Sequence, residues 1–207
     1  MSRNKEERKT TVAREAAKLL YYKIVEEYKQ AKEEAARTLG INVLPSNFEV
    51  ALELDNVAEA MEGDSRKDLL IRLRRQALDV MADLKVFHPR LIGSVWRGTA
   101  RKGSDIDITI YSNDPEIALN VIRAKFNVSK TGYTFRTEGG ETEKFFHVFV
   151  SLPSGDKVEL TIRNLEEMKK RNRCDIFGDV IKGLTTSQLQ QVLERDALQK
   201  FIPKITK

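Results

Sequence analysis

The sequence predicts an α+β fold. Three observations carry that prediction. A helical period of 3.6 fills the chain up to Pro89, short apolar strands set off by Gly, Pro and Asp follow it, and the stretch after Ile162 returns to helical patterning. Three segments follow: a helical arm over residues 1–40, a core over 41–165 and a helical C-terminal segment over 166–207.

Residues 3–38 read as one long N-terminal helix, rich in Ala, Glu, Lys, Arg and Leu and without Gly or Pro before Gly40. Val12, Ala16, Leu19, Leu20, Ile24, Val25, Tyr28, Ala31 and Ala35 recur at steps of three and four and mark one face. Such a helix would exceed about 50 Å, so it either projects as an arm or straps the domain, and its stripe leaves a homodimer through this helix open. Tyr21, Tyr22 and Tyr28 fit a packing or dimer surface better than a base-stacking one. Gly40 is placed to cap the helix. Ser46 and Glu49 have capping-box spacing and predict a short helix to Leu54.

Ser65–Phe87 is a further helix, with Leu69, Leu70, Leu73, Ala77, Val80, Met81 and Leu84 as its stripe. Arg66, Lys67, Arg72, Arg74 and Arg75 surround that stripe and read as a solvated basic face. After Pro89, Leu91 and Ile92 lead into a Gly/Ser/Arg-rich loop. Ile106–Tyr111 is a strand and Pro115–Phe126 a helix with Pro at its favoured first position. Tyr133–Arg136 is a strand, Gly139-Gly140 a turn and Phe145–Leu152 a strongly apolar strand. Pro153-Ser154-Gly155-Asp156 is a hairpin turn, with Lys157–Ile162 the return strand. Leu165–Asn172 and Ser187–Leu198 are helical.

Lys and Arg number 36 against 31 Asp and Glu, a net charge of +5 and a pI near 9.2. That excess permits a polyanionic partner such as RNA or a nucleotide without demanding one. Cys174 is the single cysteine, so an internal disulfide and a multi-cysteine zinc site are excluded. His88 and His147 have no ligand-like spacing. No stretch approaches the roughly 20 apolar residues of a membrane span, and the N-terminus shows no apolar signal core. The expectation is a cytoplasmic protein with no membrane partner.

The chemistry concentrates in one stretch. Side chains alternate along a strand, so Asp105 and Asp107 share one face while Ile106, Ile108 and Ile110 take the other. Adjacent carboxylates on one face repel, and a hard divalent cation such as Mg²⁺ is the simplest remedy. Two such ions about 3.5–4 Å apart can clamp both oxygens of a phosphoryl or nucleotidyl transfer. In the return strand, Glu159 shares a face with Lys157 and Thr161 and can join the two aspartates if the strands are neighbours. The preceding loop, Gly93-Ser94-Val95-Trp96-Arg97-Gly98-Thr99-Ala100-Arg101-Lys102-Gly103-Ser104, suits phosphate. Gly93 lets backbone amides approach, Ser94 adds a hydroxyl, and Arg97, Arg101 and Lys102 add positive charge. Trp96 fits packing beneath the loop better than base stacking. His147 reads as a satisfied sheet residue and Cys174 as structural.

This order of features resembles the signature of the DNA polymerase β-like nucleotidyltransferase superfamily. There an apolar residue and Gly-Gly or Gly-Ser precede a spacer, an Asp-x-Asp or Asp-x-Glu pair, and a later acid in its own strand. Gly93-Ser94, Asp105 and Asp107, and Glu159 match in turn, and residues 93–99 are similar to the minimal nucleotidyltransferases and archaeal CCA-adding enzymes. The likeness runs from Leu91 to Ile162. It departs at the third acid, which is often Asp. The resemblance implies a palm-like mixed β-sheet flanked by helices. It implies Mg²⁺, or Mn²⁺ in its place, on Asp105, Asp107 and Glu159, and a nucleoside triphosphate at Gly93 and Ser94 with Arg97 near its phosphates. The expected reaction moves a nucleoside monophosphate to an acceptor hydroxyl or phosphate and releases pyrophosphate. The short stretch after Glu159 favours a small molecule, a protein or an RNA end as acceptor over processive synthesis. A catalytically silent nucleotide-sensing module and an RNA-binding module are the rival readings.

Overall fold

The computed structural model describes residues 2–138 and 141–204; the expected Gly139-Gly140 turn lies outside them. The chain divides into two compact units. One is built from the chain up to Arg66 together with Arg173–Val180, and the other from Lys67–Asn172 with Ile181–Ile202.

In the first unit the expected single N-terminal helix is two helices, α1 (Ser2–Tyr21) and α2 (Tyr28–Leu39). Lys23 adopts φ 54°, the Ile24 amide reaches back to the Leu19 carbonyl and the Lys23 amide to Leu20. That is a Schellman stop with Lys where Gly is usual. Burial drives the break. Val12, Ala16, Leu20, Ala31 and Ala35 close one core with Val50 and Leu54, whereas a straight helix would leave its stripe in water. α2 ends at Gly40, φ 64°. Ser46 and Glu49 form the expected capping box of α3 (Asn47–Glu62), which runs on past Leu54 because Ala58 continues its buried face.

The second unit holds most of α4 (Asp64–Asp83), then β1 (Arg90–Ile92), α5 (Gly93–Arg97), β2 (Ile106–Tyr111), α6 (Pro115–Lys125), β3 (Asn127–Glu138), β4 (Glu141–Ser151), β5 (Lys157–Arg163) and α7 (Thr186–Arg195). A 3₁₀ turn, Leu165–Lys169, stands where a longer helix to Asn172 was expected. The five strands form one mixed sheet in the order β1-β2-β5-β4-β3. β2 and β5 are parallel and every other pair is antiparallel. Alternation sends Ile106, Ile108, Ile110, Val148, Val150, Val158 and Leu160 into one cluster with Leu73 and Met81 of α4, Leu84 just after it, and Leu119 and Ile122 of α6. The other face carries the acids.

Of the basic face expected around α4, Lys67, Arg72 and Arg75 are exposed, whereas Arg66 and Arg74 are buried. Arg66 is 4% exposed and pairs with Asp55 and Glu59. Arg72 holds Asp156 in the β4–β5 turn with two hydrogen bonds, 3.0 and 3.1 Å. Arg74 is fully buried and donates to the carbonyls of Val95, Trp96, Ala197 and Gln199 at 2.8–3.1 Å. Burial lowers its pKa to about 10, so it stays charged at neutral pH. Its guanidinium ties the Ala197–Gln199 segment after α7 to α5. Arg74→Ala would orphan four carbonyls and is expected to cost about 3 kcal/mol or more. Urea unfolding would measure this, and a loss under about 1 kcal/mol would contradict the assigned role.

Candidate functional site

Strand pairing settles what the sequence left open. Asp107 of β2 is the Cα partner of Glu159 of β5, and on its other side it pairs with Ile92, the residue before Gly93. One row of the sheet thus brings the Gly-Ser turn, the Asp-x-Asp strand and the third acid together. Asp105 lies just before β2 on the same face.

Gly93 makes the tightest contact. Its φ is +68°, and a Cβ built there would lie 1.9 Å from Asp107 Oδ2 and 2.8 Å from Cγ. Only a glycine lets the turn cross this carboxylate. Asp107 is pushed up to about 7, first by burial, then by the charges of Glu159 and Asp105. A half-buried carboxylate held between two others favours its protonated form.

Glu159 has a partner of its own. Its Oε1 lies 2.6 Å from His147 Nδ1, on the neighbouring strand. An ionised carboxylate only accepts, so Nδ1 carries the proton, and in the neutral ring Nε2 accepts from the Thr134 hydroxyl at 2.6 Å. Thr161 Oγ1 stands 3.3 Å from Nδ1. The sequence reading missed this role for His147. Alternation alone puts it on one face of β4, but only the strand order makes that the acid face.

The remaining expected contacts divide. Ser94 is half-buried in α5, whose five residues occupy what was read as loop. Arg101 and Lys102 lie in a tight turn closed by the Ser104 amide on the Arg101 carbonyl, 2.9 Å, with Lys102 exposed. Arg97 departs from the phosphate role. It is 3% exposed, lies 4.3 Å over the Trp96 ring and donates from Nη1 to the Phe201 carbonyl at 2.9 Å, while the Phe201 amide returns a bond to the Arg97 carbonyl. The side chain points beneath the turn because Phe201, stacked on Trp96 at 6.5 Å, fills that space. Trp96 packs there, as expected. Cys174 accepts from the Phe177 amide through Sγ at 3.4 Å.

Among the described residues, no three His, Cys, Asp or Glu side chains converge closely enough to hold a metal ion as they stand; Glu159 is turned onto His147. The donor chemistry nonetheless fits a hard divalent cation. Asp105, Asp107 and Glu159 offer only oxygen, and the raised Asp107 marks where positive charge is wanted.

Residues 74–174 match the family model of the nucleotidyltransferase domain. No curated protein matches the chain. Solved structures similar to it include a cytoplasmic RNA terminal U-transferase, at 20% identity and TM-score 0.32 over 47% of this chain and 31% of that one. The Cid1 poly(U) polymerase with MgGTP bound is 19% identical, TM-score 0.32, over 47% and 33%. The non-canonical poly(A) polymerase complex GLD-2–GLD-3 is 15% identical, TM-score 0.31, over 56% and 39%. The chain spans a third or so of the length of these proteins.

Proposed function

We propose, from the premise that residues 74–174 form a nucleotidyltransferase domain of the DNA polymerase β-like superfamily, that this protein moves a nucleoside monophosphate from an NTP to an acceptor, with Mg²⁺ or Mn²⁺. The observation that carries the reading is the sheet row in which Asp107 and Glu159 pair beneath Gly93, with the Asp107 carboxyl pushed up by burial and by its two acidic neighbours.

Asp105 and Asp107 would hold the cation, with Glu159 completing the set. When bound, that cation would neutralise charge on the α-phosphoryl oxygens and the departing pyrophosphate. Gly93 and Ser94 would hold the triphosphate, the glycine by admitting a phosphate oxygen to the backbone and the serine by its hydroxyl. Arg101 and Lys102, on the turn ahead of Asp105, supply positive charge that draws the triphosphate in. The acceptor oxygen attacks the α-phosphorus, a new O–P bond forms, and the bond to the β-phosphate's bridging oxygen breaks as pyrophosphate leaves. Glu159, oriented by His147, is placed to take the proton of an acceptor hydroxyl. Arg97 has no part in this; it fixes the turn from below.

The test is transfer of label from each α-labelled NTP, with Mg²⁺ or with EDTA, to total RNA, cell protein or a small-molecule extract. Label moved in Mg²⁺ and abolished by EDTA is the expected result, and the labelled fraction names the acceptor. Mg²⁺-NTP binding with no transfer to any fraction would favour a sensing module; no NTP binding would end the reading.

A further inference from the structure

The face of the sheet that carries the acids continues past them. Pairing extends the row from Asp107 and Glu159 to Phe149 on β4 and Lys130 on β3. Strands lie about 4.8 Å apart, so the row runs roughly 14 Å from carboxylate to ammonium. The next row carries Thr161, His147 and Gly132. The rings of Phe149 and His147 are stacked, 22° between planes and 6.4 Å between centroids. Lys130 Nζ lies 5.8 Å over Phe149, and Arg163 lies 4.9 Å over Phe145.

Three features set this face apart from its reverse. Phe145, His147 and Phe149 are half-buried, while Phe146, Val148 and Val150, which alternate with them, are buried in the core. Gly132 faces His147 with no side chain, and a Cβ there would meet nothing within 4 Å, which leaves a notch between Lys130, over Phe149, and Thr134, bonded to His147. The charges are graded: acids at one end, aromatic rings in the middle, an exposed lysine at the edge. A core sheet has no use for that order. A nucleoside beside a phosphodiester has the complementary one: a sugar hydroxyl for the acids, a base for the rings, a phosphate for the lysine.

We propose that the Phe149–His147 surface, with Lys130 and the Gly132 notch, is the acceptor subsite, and that its ligand is the end of a single-stranded polynucleotide. The inference rests on the reading of Asp105, Asp107 and Glu159 as the transfer site, since it is their row that the surface extends. The terminal base stacks on Phe149 and brings its sugar toward Glu159, and the preceding phosphate meets Lys130. Stacking on an aromatic ring is tolerant of base identity, so discrimination among acceptors comes from strandedness.

Fluorescence anisotropy with short fluorescein-labelled oligoribonucleotide and oligodeoxyribonucleotide probes tests this without any turnover. The wild-type chain should bind a single strand more tightly than the same sequence as a duplex, whose bases are already stacked. Phe149→Leu should weaken single-strand binding about tenfold. Lys130→Ala should weaken it and lower the slope of log affinity against log salt by about one. Gly132→Val, which fills the notch on an edge strand suited to Val, should also weaken it. All three should keep Mg²⁺-NTP affinity within about twofold, a split that general unfolding would not give. Asp107→Asn should keep single-strand binding, so a failed transfer reaction and a failed subsite are told apart. Wild-type affinity in all three variants, tighter binding of the duplex, or no binding of either probe would overturn the subsite.

Discussion

Asp107→Asn should lower nucleotidyl transfer about a thousandfold while making the metal-free protein more stable above pH 7. The two effects have one origin. Asp107 is half-buried, and its loss of hydration, with Glu159 and Asp105 beside it, pushes its pKa up to about 7 from an ordinary 3.8. A raised carboxyl pKa means that the folded state keeps a proton that the unfolded chain gives up. The stability from this group is therefore greatest at low pH, falls as pH rises from about 4 to about 7, and stays lost above. The gap amounts to a few kcal/mol at most, one decade of shift being about 1.4 kcal/mol. Asn keeps the shape and removes the charge, so the variant loses this slope. Melting temperatures of both proteins between pH 5 and pH 8 would show the curves diverging at the high end. On activity the sign reverses: the charge that costs stability is the one a cation would bind, and its loss removes roughly 4 kcal/mol of transition-state stabilisation. Equal destabilisation at both pH values would show that Asp107 is an ordinary packed residue, and retained transfer would remove it from the site.

That conflict between stability and function is what made the site legible in the sequence. Asp105 and Asp107 share one strand face, a short basic spacer after the Gly93-Ser94 pair. β2 and β5 were equally legible, since each keeps its period of two, whereas β3 was read only at Tyr133–Arg136 of its Asn127–Glu138, because no Pro, Gly or Asp marks its start after Phe126. What the sequence did not disclose depends on which elements become neighbours. Arg97 looked like a phosphate ligand because its place in the turn is visible, whereas Phe201, which takes its guanidinium, lies more than a hundred residues on. Arg74 looked solvated for the same reason. His147 looked like an ordinary sheet residue because nothing local links it to Glu159; the β5-β4-β3 order does. The break after Tyr21 was hidden in another way. Its stop residue is Lys23, not Gly, and the drive to bend comes from burying Ala16 and Leu20 against Ala31 and Ala35.

Gly93→Ala should nearly abolish transfer without touching any ionisable group. Two costs fall on it. The first is backbone strain, because φ +68° is disfavoured for Ala, at about 1 kcal/mol. The second is the clash, since the new methyl would lie 1.9 Å from Asp107 Oδ2 and 3.0 Å from Asp107 Cβ. Rotating the carboxylate relieves the first contact but not the second, because that Cβ is fixed by a strand paired on both sides. Either Asp107 swings out of the row or α5 lifts from the sheet, and both displace the acid that the site is built around. Transfer should fall at least about a hundredfold, as a misplacement near 1 Å does. Gly40→Ala separates the two costs. It has nearly the same φ, +64°, and nothing within 4 Å, so it should lose about 1 kcal/mol of stability and no activity. The clash itself can be isolated in an Asp107→Gly background, where the methyl meets neither the carboxylate nor its Cβ. There the stability cost of Gly93→Ala should shrink toward that of Gly40→Ala, a coupling that chemical unfolding of the four proteins in the cycle would measure. Should the cost instead be the same in both backgrounds, the glycine would be serving the turn alone, and its approach to Asp107 would carry no functional meaning.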